Sequence, residues 1–227
     1  MTPKLPVGAP VTDASPAGRP RETDYHGRRA ALSPLRAELV PARVATLLED
    51  LHSGSHGDPE TESLWTYMAY GPFADRAAMH AWLERCAGSS DPLFLVVHDT
   101  QSQQAVGIVT FMAIRPEMRC LELGNIWYVA KAQGTGINTE AVYLMLCEAF
   151  DQGYRRVEWK CDSLNERSRR AALRLGFTFE GIFRQHMIVK GRNRDTAWFA
   201  MLDHEWPSVR ARLEKAIHET SPSGNAR

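Results

Sequence analysis

The stretch Gln133-Gly134-Thr135-Gly136-Ile137-Asn138 lies between an apolar run, Trp127 to Ala130, and a segment with helical spacing. Two glycines at such a junction let the backbone turn tightly and come close to a bound group. The first N–H groups of a helix have no partners within it and sit at the positive end of its dipole, so a phosphate can be gripped there. Asn138 or Thr139 is the expected N-cap. The plainer reading is a simple connection, because glycines serve any tight turn.

Two well-known phosphate-binding patterns do not fit. A P-loop requires G-x-x-x-x-G-K-[ST], and no Lys follows these glycines. A dinucleotide-binding turn requires G-x-G-x-x-G, then an acidic residue after the next strand. Here the pattern is G-x-G-x-x-T, and although Asp162 follows a strand, too little chain remains for the βα units of that fold.

The elements around the turn follow from periodicity. Val142, Met145, Leu146, Ala149 and Phe150 repeat as one apolar face of a helix, which Gly153 ends. Residues 155–161 alternate, with Val157, Trp159 and Cys161 on one side, and a helix over 166–175 stops at Gly176. Upstream, the spacing predicts a strand around 28–35, helices over 43–52 and 75–87, a hairpin of 93–99 with 105–113, and a strand over 120–129. Gly124 within that last strand marks a bulge. Strands over 177–190 and 195–202, joined by Gly191 to Arg194, and a short helix from about Pro207 complete a mixed α/β or α+β layer.

Residues 1–26 are rich in Pro, Gly, Ser and charge and are expected to be a disordered leader; 219–227 is expected to be a frayed tail. One domain over 27–218 is expected between them. Lys plus Arg and Asp plus Glu both number 27, so net charge points to neither a nucleic acid nor another polyanion. Basic residues outnumber acidic ones in 155–227, and the reverse holds in 51–150. Cys86, Cys120, Cys147 and Cys161 form no C-x-x-C pair and read as buried thiols of a reducing compartment. His spacing shows no metal pattern, no run is long and apolar enough to span a membrane, and no signal peptide is seen, so a cytoplasmic protein without metal is expected.

Taken together, Q-x-x-G-x-G between strand and helix, the following strand, and "NERSRRAALRLGF" resemble motifs A and B of the GNAT acetyltransferase superfamily. The likeness covers about 115–202 closely and most of 28–206 loosely. Asn165-x-x-Ser168, Gly176-Phe177, "FEG" at 179–181 and Arg184 resemble the RimJ/RimL branch, which acetylates N-terminal amines of ribosomal proteins and relatives. Asn138 departs from the family, which usually has Gly or Ala there.

This resemblance implies a mostly antiparallel sheet, splayed at a β-bulge and flanked by helices. It also implies that acetyl-CoA is the co-substrate, with Gln133, Gly134, Thr135, Gly136, Ile137 and Asn138 around its pyrophosphate, and Asn165 is assigned to the same cofactor set. Pantetheine would lie in the gap between strands 120–129 and 155–161, bonded by the Val129 backbone. Ser168 would protonate the leaving thiolate, where many relatives use Tyr. Glu122 is the first candidate for general base and His186 the second, the latter because its ordinary pKa is near neutral.

The acceptor implied is a primary amine, either a protein N-terminus or a small molecule. The branch allows a homodimer, and neither a membrane nor a nucleic-acid partner is expected. Each residue also has a structural reading: Glu122 as a solvated strand residue, His186 as an exposed partner for nearby charges, Ser168 as a helix capping or back-bonding group. Arg167, Arg170 and Arg174 read as a solvated face or a contact to the CoA 3′-phosphate. Trp65, Tyr67 and Tyr70 read as core or as acceptor-pocket lining. Two other functions use the same fold, a non-catalytic acyl-CoA-binding regulatory module and an aminoacyl-tRNA-dependent transferase.

Overall fold

The computed structural model describes residues 5–219. The first four residues of the expected leader, and the expected tail apart from Glu219, lie outside the described residues. In chain order the elements are β1 (Tyr25–His26), β2 (Ala30–Pro34), α1 (Leu35–Glu38), α2 (Val44–Ser53), α3 (Pro59–Glu62) and α4 (Arg76–Ala87). There follow β3 (Leu93–Asp99), β4 (Ala105–Arg115), β5 (Cys120–Tyr128), α5 (Ile137–Asp151), β6 (Arg156–Asp162), α6 (Glu166–Leu175), β7 (Thr178–Val189), β8 (Arg192–Leu202) and α7 (Trp206–Glu219).

The strands form one sheet in the order β1-β2-β3-β4-β5-β6-β8-β7. Every neighbouring pair is antiparallel except β5 and β6. The connections through α5 and α6 step across the sheet in the same direction, so right-handed crossovers put both helices on one face. Val157 and Trp159 of β6 face them, and the Trp159 indole N–H donates to Ser168 Oγ on α6 at 3.0 Å. The opposite face is covered by the segment between α1 and α4, where Trp65 packs 4.8 Å from Trp127 of β5. Side-chain caps fix helix starts: Asp75 accepts from Ala78 N, and Asn165 accepts from Ser168 N. At the far end of α6 the chain leaves through Gly176 at φ +102°.

Parallel pairing of β5 with β6 runs only from Cys120–Arg156 to Leu123–Trp159. Beyond Leu123, β5 stays with β4 while β6 continues against β8 to Asp162, so the two strands part. The cause lies in β5. Thr110 pairs with Gly124 but Ile108 pairs with Trp127, which leaves Asn125 and Ile126 opposite Val109. The bulge therefore falls just after Gly124, with Asn125 at φ +50°. Gly124 has a separate role: a side chain there would collide with Met112 Sδ.

Part of the expected leader is held in place. Gly18 N donates to Gln152 O at 2.9 Å, and the Arg21 backbone and guanidinium both bond the buried carboxylate of Glu148. Tyr25 and His26 form β1. Isolated polar contacts to the carboxylate and to backbone carbonyls leave no apolar period in the sequence, which is why composition alone reads this stretch as unstructured. The β7–β8 hairpin also turns earlier than expected, at Lys190-Gly191, and Arg192–Arg194 belong to β8. Cys120 and Cys161 are buried, whereas Cys86 and Cys147 are half-buried. Trp65 is core at 1% exposure, and Tyr67 hydroxyl donates to Leu164 O.

Candidate active site

The turn that joins β5 to α5 is built to present N–H groups. Gly134 and Gly136 both take positive φ, +78° and +92°, which a side chain would oppose. Helix α5 starts at Ile137 with Gly136 as N-cap, so the expectation of Asn138 or Thr139 in that position is corrected. Because Gly136 has no capping side chain, the head of the helix stays open. Gln133 N bonds Ala130 O, and Ile137 N lies 3.4 Å from Thr135 Oγ1. The N–H groups of Gly134, Thr135, Gly136, Asn138 and Thr139 have no hydrogen-bond acceptor among the described residues. Asn138 is half-buried in the first turn, with Oδ1 unpartnered among the described residues.

A cleft of about 970 Å³ opens along this turn, lined by Gln133, Gly134, Thr135 and Ile137 and by the cations Arg28, Arg29 and Lys131. The buried Glu140 carboxylate positions that side of the cleft, accepting from the N–H groups of Arg28, Arg29 and Ala30 at 2.7, 2.6 and 3.0 Å. Arg29 guanidinium then donates to Thr135 O at 2.7 Å, and Gln133 Nε2 donates to Tyr128 O at 3.1 Å. The geometry suits a polyanion with one end at the helix start. Arg167, Arg170 and Arg174 instead lie exposed on α6, with Arg170 facing Glu166 at 3.6 Å.

The Val129 expectation needs correction. Its N–H donates to Val106 O at 2.9 Å, and its carbonyl accepts from Ala132 N at 3.0 Å, so both groups are engaged. Alternation along an antiparallel strand then turns the N–H and C=O of Tyr128 away from β4; the C=O accepts from Gln133 Nε2, and the N–H is left toward the gap. The bulge changes the parity of the strand end, so the gap-facing N–H belongs to Tyr128, one residue before the position singled out from the sequence.

Glu122 lies on β5 beside the splay, 6% exposed, with Lys160 Nζ 2.8 Å from its carboxylate. Burial pushes the Glu122 carboxyl above the ordinary carboxylate range, and the Lys160 charge opposes that rise. Glu122 is thus an enclosed acceptor rather than a solvated strand residue. His186 is exposed on β7, where its Nδ1 meets Thr196 Oγ1 at 2.9 Å and its ring lies 6.0 Å from Trp198. Ser168 Oγ accepts the Trp159 indole N–H, and its hydroxyl faces the Cys161 thiol, so its hydrogen is turned toward sulfur. Asn165 is fixed as the cap of α6, its Oδ1 3.1 Å from Ser168 N, so it positions Ser168 through the helix start. The parallel register that brings Lys160 to Glu122 could not be read from either strand alone.

Residues 36–178 match the family model described as the acetyltransferase (GNAT) domain. A GCN5-related N-acetyltransferase from Brucella melitensis is 38% identical with a TM-score of 0.84, over 91% of this chain and 90% of that one. A "probable acetyltransferase" of the GNAT family from Chromobacterium violaceum is also 38% identical, with a TM-score of 0.78 over 91% of this chain and all of that one (100%). The ribosomal-protein-serine acetyltransferase of Escherichia coli K12 is 28% identical over 103 residues, which are 45% of this chain and 57% of that protein. The chain thus spans little more than half the length of this curated relative. No described helix is long and apolar enough to cross a membrane. With the splayed sheet, the bulged strand and the open helix start all in place, the chain belongs to the GNAT family of acetyltransferases.

Proposed function

We propose that the protein moves the acetyl group of acetyl-CoA to a primary amine within a ternary complex. The observation that carries this reading is the set of unpartnered N–H groups at Gly134, Thr135, Gly136, Asn138 and Thr139, on a turn that lines a cleft together with Arg28, Arg29 and Lys131. A pyrophosphate fits such donors, and the three cations suit the remaining phosphate charge. Pantetheine would then run along β5 through the gap beyond Leu123, with the Tyr128 backbone as its hydrogen-bonding edge.

The chemistry follows from the groups beside that gap. The amine nitrogen attacks the thioester carbon, forming a C–N bond and an oxyanion, and the C–S bond then breaks. The proton lost by nitrogen goes to the Glu122 carboxylate, directly or through a water. Ser168 Oγ gives its proton to the departing thiolate and regains one from solvent. An α-amine, with a reference pKa of about 8, needs only a modest base, whereas a Lys side chain at about 10.4 needs a stronger one. The E. coli relative is named for acetylating a ribosomal-protein serine, which supports a protein acceptor, and the resemblance to the RimJ/RimL branch favours its N-terminal α-amine. The test is thiol release from acetyl-CoA with a pool of peptides and small amines. Release with one acceptor class, lost in Glu122→Gln, is expected; acetyl-CoA binding with no release to any amine would refute transfer.

A further inference from the structure

The sheet face that carries Glu122 has one cation more than its carboxylates use. Lys160 Nζ pairs with Glu122 at 2.8 Å and lies 3.6 Å from Glu158; Glu158 is also met by Arg115 and Arg156, and Arg156 holds Glu180 at 2.6 Å. Arg194 on β8 has no ion pair or hydrogen bond among the described residues, and its Nε is buried. The nearby carboxylates are engaged elsewhere. Asp195 accepts from Gln185 N and Asn193 Nδ2, and Asp162 accepts from Leu164 N.

Trp198, on the same face of β8, has a buried indole N–H with no acceptor among the described residues. Its ring lies under Lys160 Nζ, 4.0 Å from the centroid, and Arg194 is close enough to favour the charge on Glu122. Trp198, Lys160 and Glu122 therefore lie together beside the gap, and Arg194 stands further along the same face of β8. Phe183 packs 4.7 Å from Trp198 and is half exposed, giving that place an apolar wall.

A guanidinium held in a partly buried site, with donors unsatisfied, matches a carboxylate or phosphate better than any neutral group. We propose that the acceptor is an amine that also carries an oxyanion, held by Arg194 with Trp198 Nε1 while the amine faces Glu122. This rests on the acetyl-transfer reading and narrows its acceptor. Two sources share the chemistry: a free amino acid or similar small zwitterion, and a peptide whose first residues are acidic.

The experiment is thiol release from acetyl-CoA with matched acceptor pairs, a set of free amino acids against their amides and peptides beginning with Asp or Glu against Asn or Gln. The anionic member of one pair type should show kcat/KM at least about tenfold higher, and which pair type does so identifies the source. Arg194→Gln should raise KM for that member about tenfold or more while sparing the neutral member and the KM for acetyl-CoA. Trp198→Phe, which keeps the ring and removes the N–H, should weaken the same preference, so the reading does not depend on one variant folding. Equal rates within both pair types, preference for the neutral members, or an equal loss for both members in Arg194→Gln would overturn the inference and leave acetyl transfer standing. No release with any amine would overturn both.

Discussion

Replacing Gly134 by Ala separates a binding role from a folding role. At φ +78° an alanine is strained, at a cost of about 1–2 kcal/mol for a left-handed residue. A Cβ at Gly134 meets no protein atom within 4 Å, so no packing loss is added. For a domain of this size that cost lowers Tm by about 2–8 °C. A phosphate seated on the turn would meet the new methyl, and loss of one charge-assisted hydrogen bond is worth about 1.5–3 kcal/mol, or about 10- to 150-fold in Kd. Gly191→Ala is the matched control, since Gly191 also has positive φ (+72°) and open space but lies in the β7–β8 turn. Calorimetric titration with acetyl-CoA should show a weaker Kd for Gly134→Ala and an unchanged one for Gly191→Ala, with similar Tm losses. Equal Kd values for both variants and the wild type would refute the assignment of the turn to the pyrophosphate.

Other outcomes follow from the same geometry. Ser168→Ala should lower kcat by about tenfold or more and leave acetyl-CoA affinity unchanged, as expected for a group that acts on the leaving thiolate; unchanged kcat would remove Ser168 from the chemistry. Because burial raises the Glu122 pKa, kcat/KM should fall as pH drops through a value above the ordinary carboxylate range. Glu122→Gln should remove that acidic limb. Lys160→Met, by deleting the cation that opposes the rise, should move the limb to higher pH, and a downward move would contradict the pairing. Glu148→Ala should release the segment around Arg21, detected as faster proteolysis within residues 5–26 and a lower Tm.

The strands and helices were legible wherever one side chain period dominated. Strand β3 and helix α6 have the bounds that an apolar run of strand length and a glycine stop predict. The glycine turn was legible because its residues are contiguous and their conformational needs are local. What escaped depends on pairing between distant segments. The carboxylate of Glu148 fastens Arg21, within the stretch that composition reads as leader, through polar contacts that leave no sequence period. The backbone N–H that faces the gap is that of Tyr128 and not of Val129, because a one-residue bulge sets which backbone groups β4 consumes. Lys160 meets Glu122, and Trp198 lies beneath Lys160, only through the β5–β6 and β6–β8 registers.

The most direct test of the account is a crystal structure of the protein with CoA. The pyrophosphate oxygens should lie within about 2.7–3.2 Å of the N–H groups between Gly134 and Thr139, with pantetheine in the gap beyond Leu123 and bonded to the Tyr128 backbone. A diphosphate held elsewhere, or pantetheine outside that gap, would contradict it.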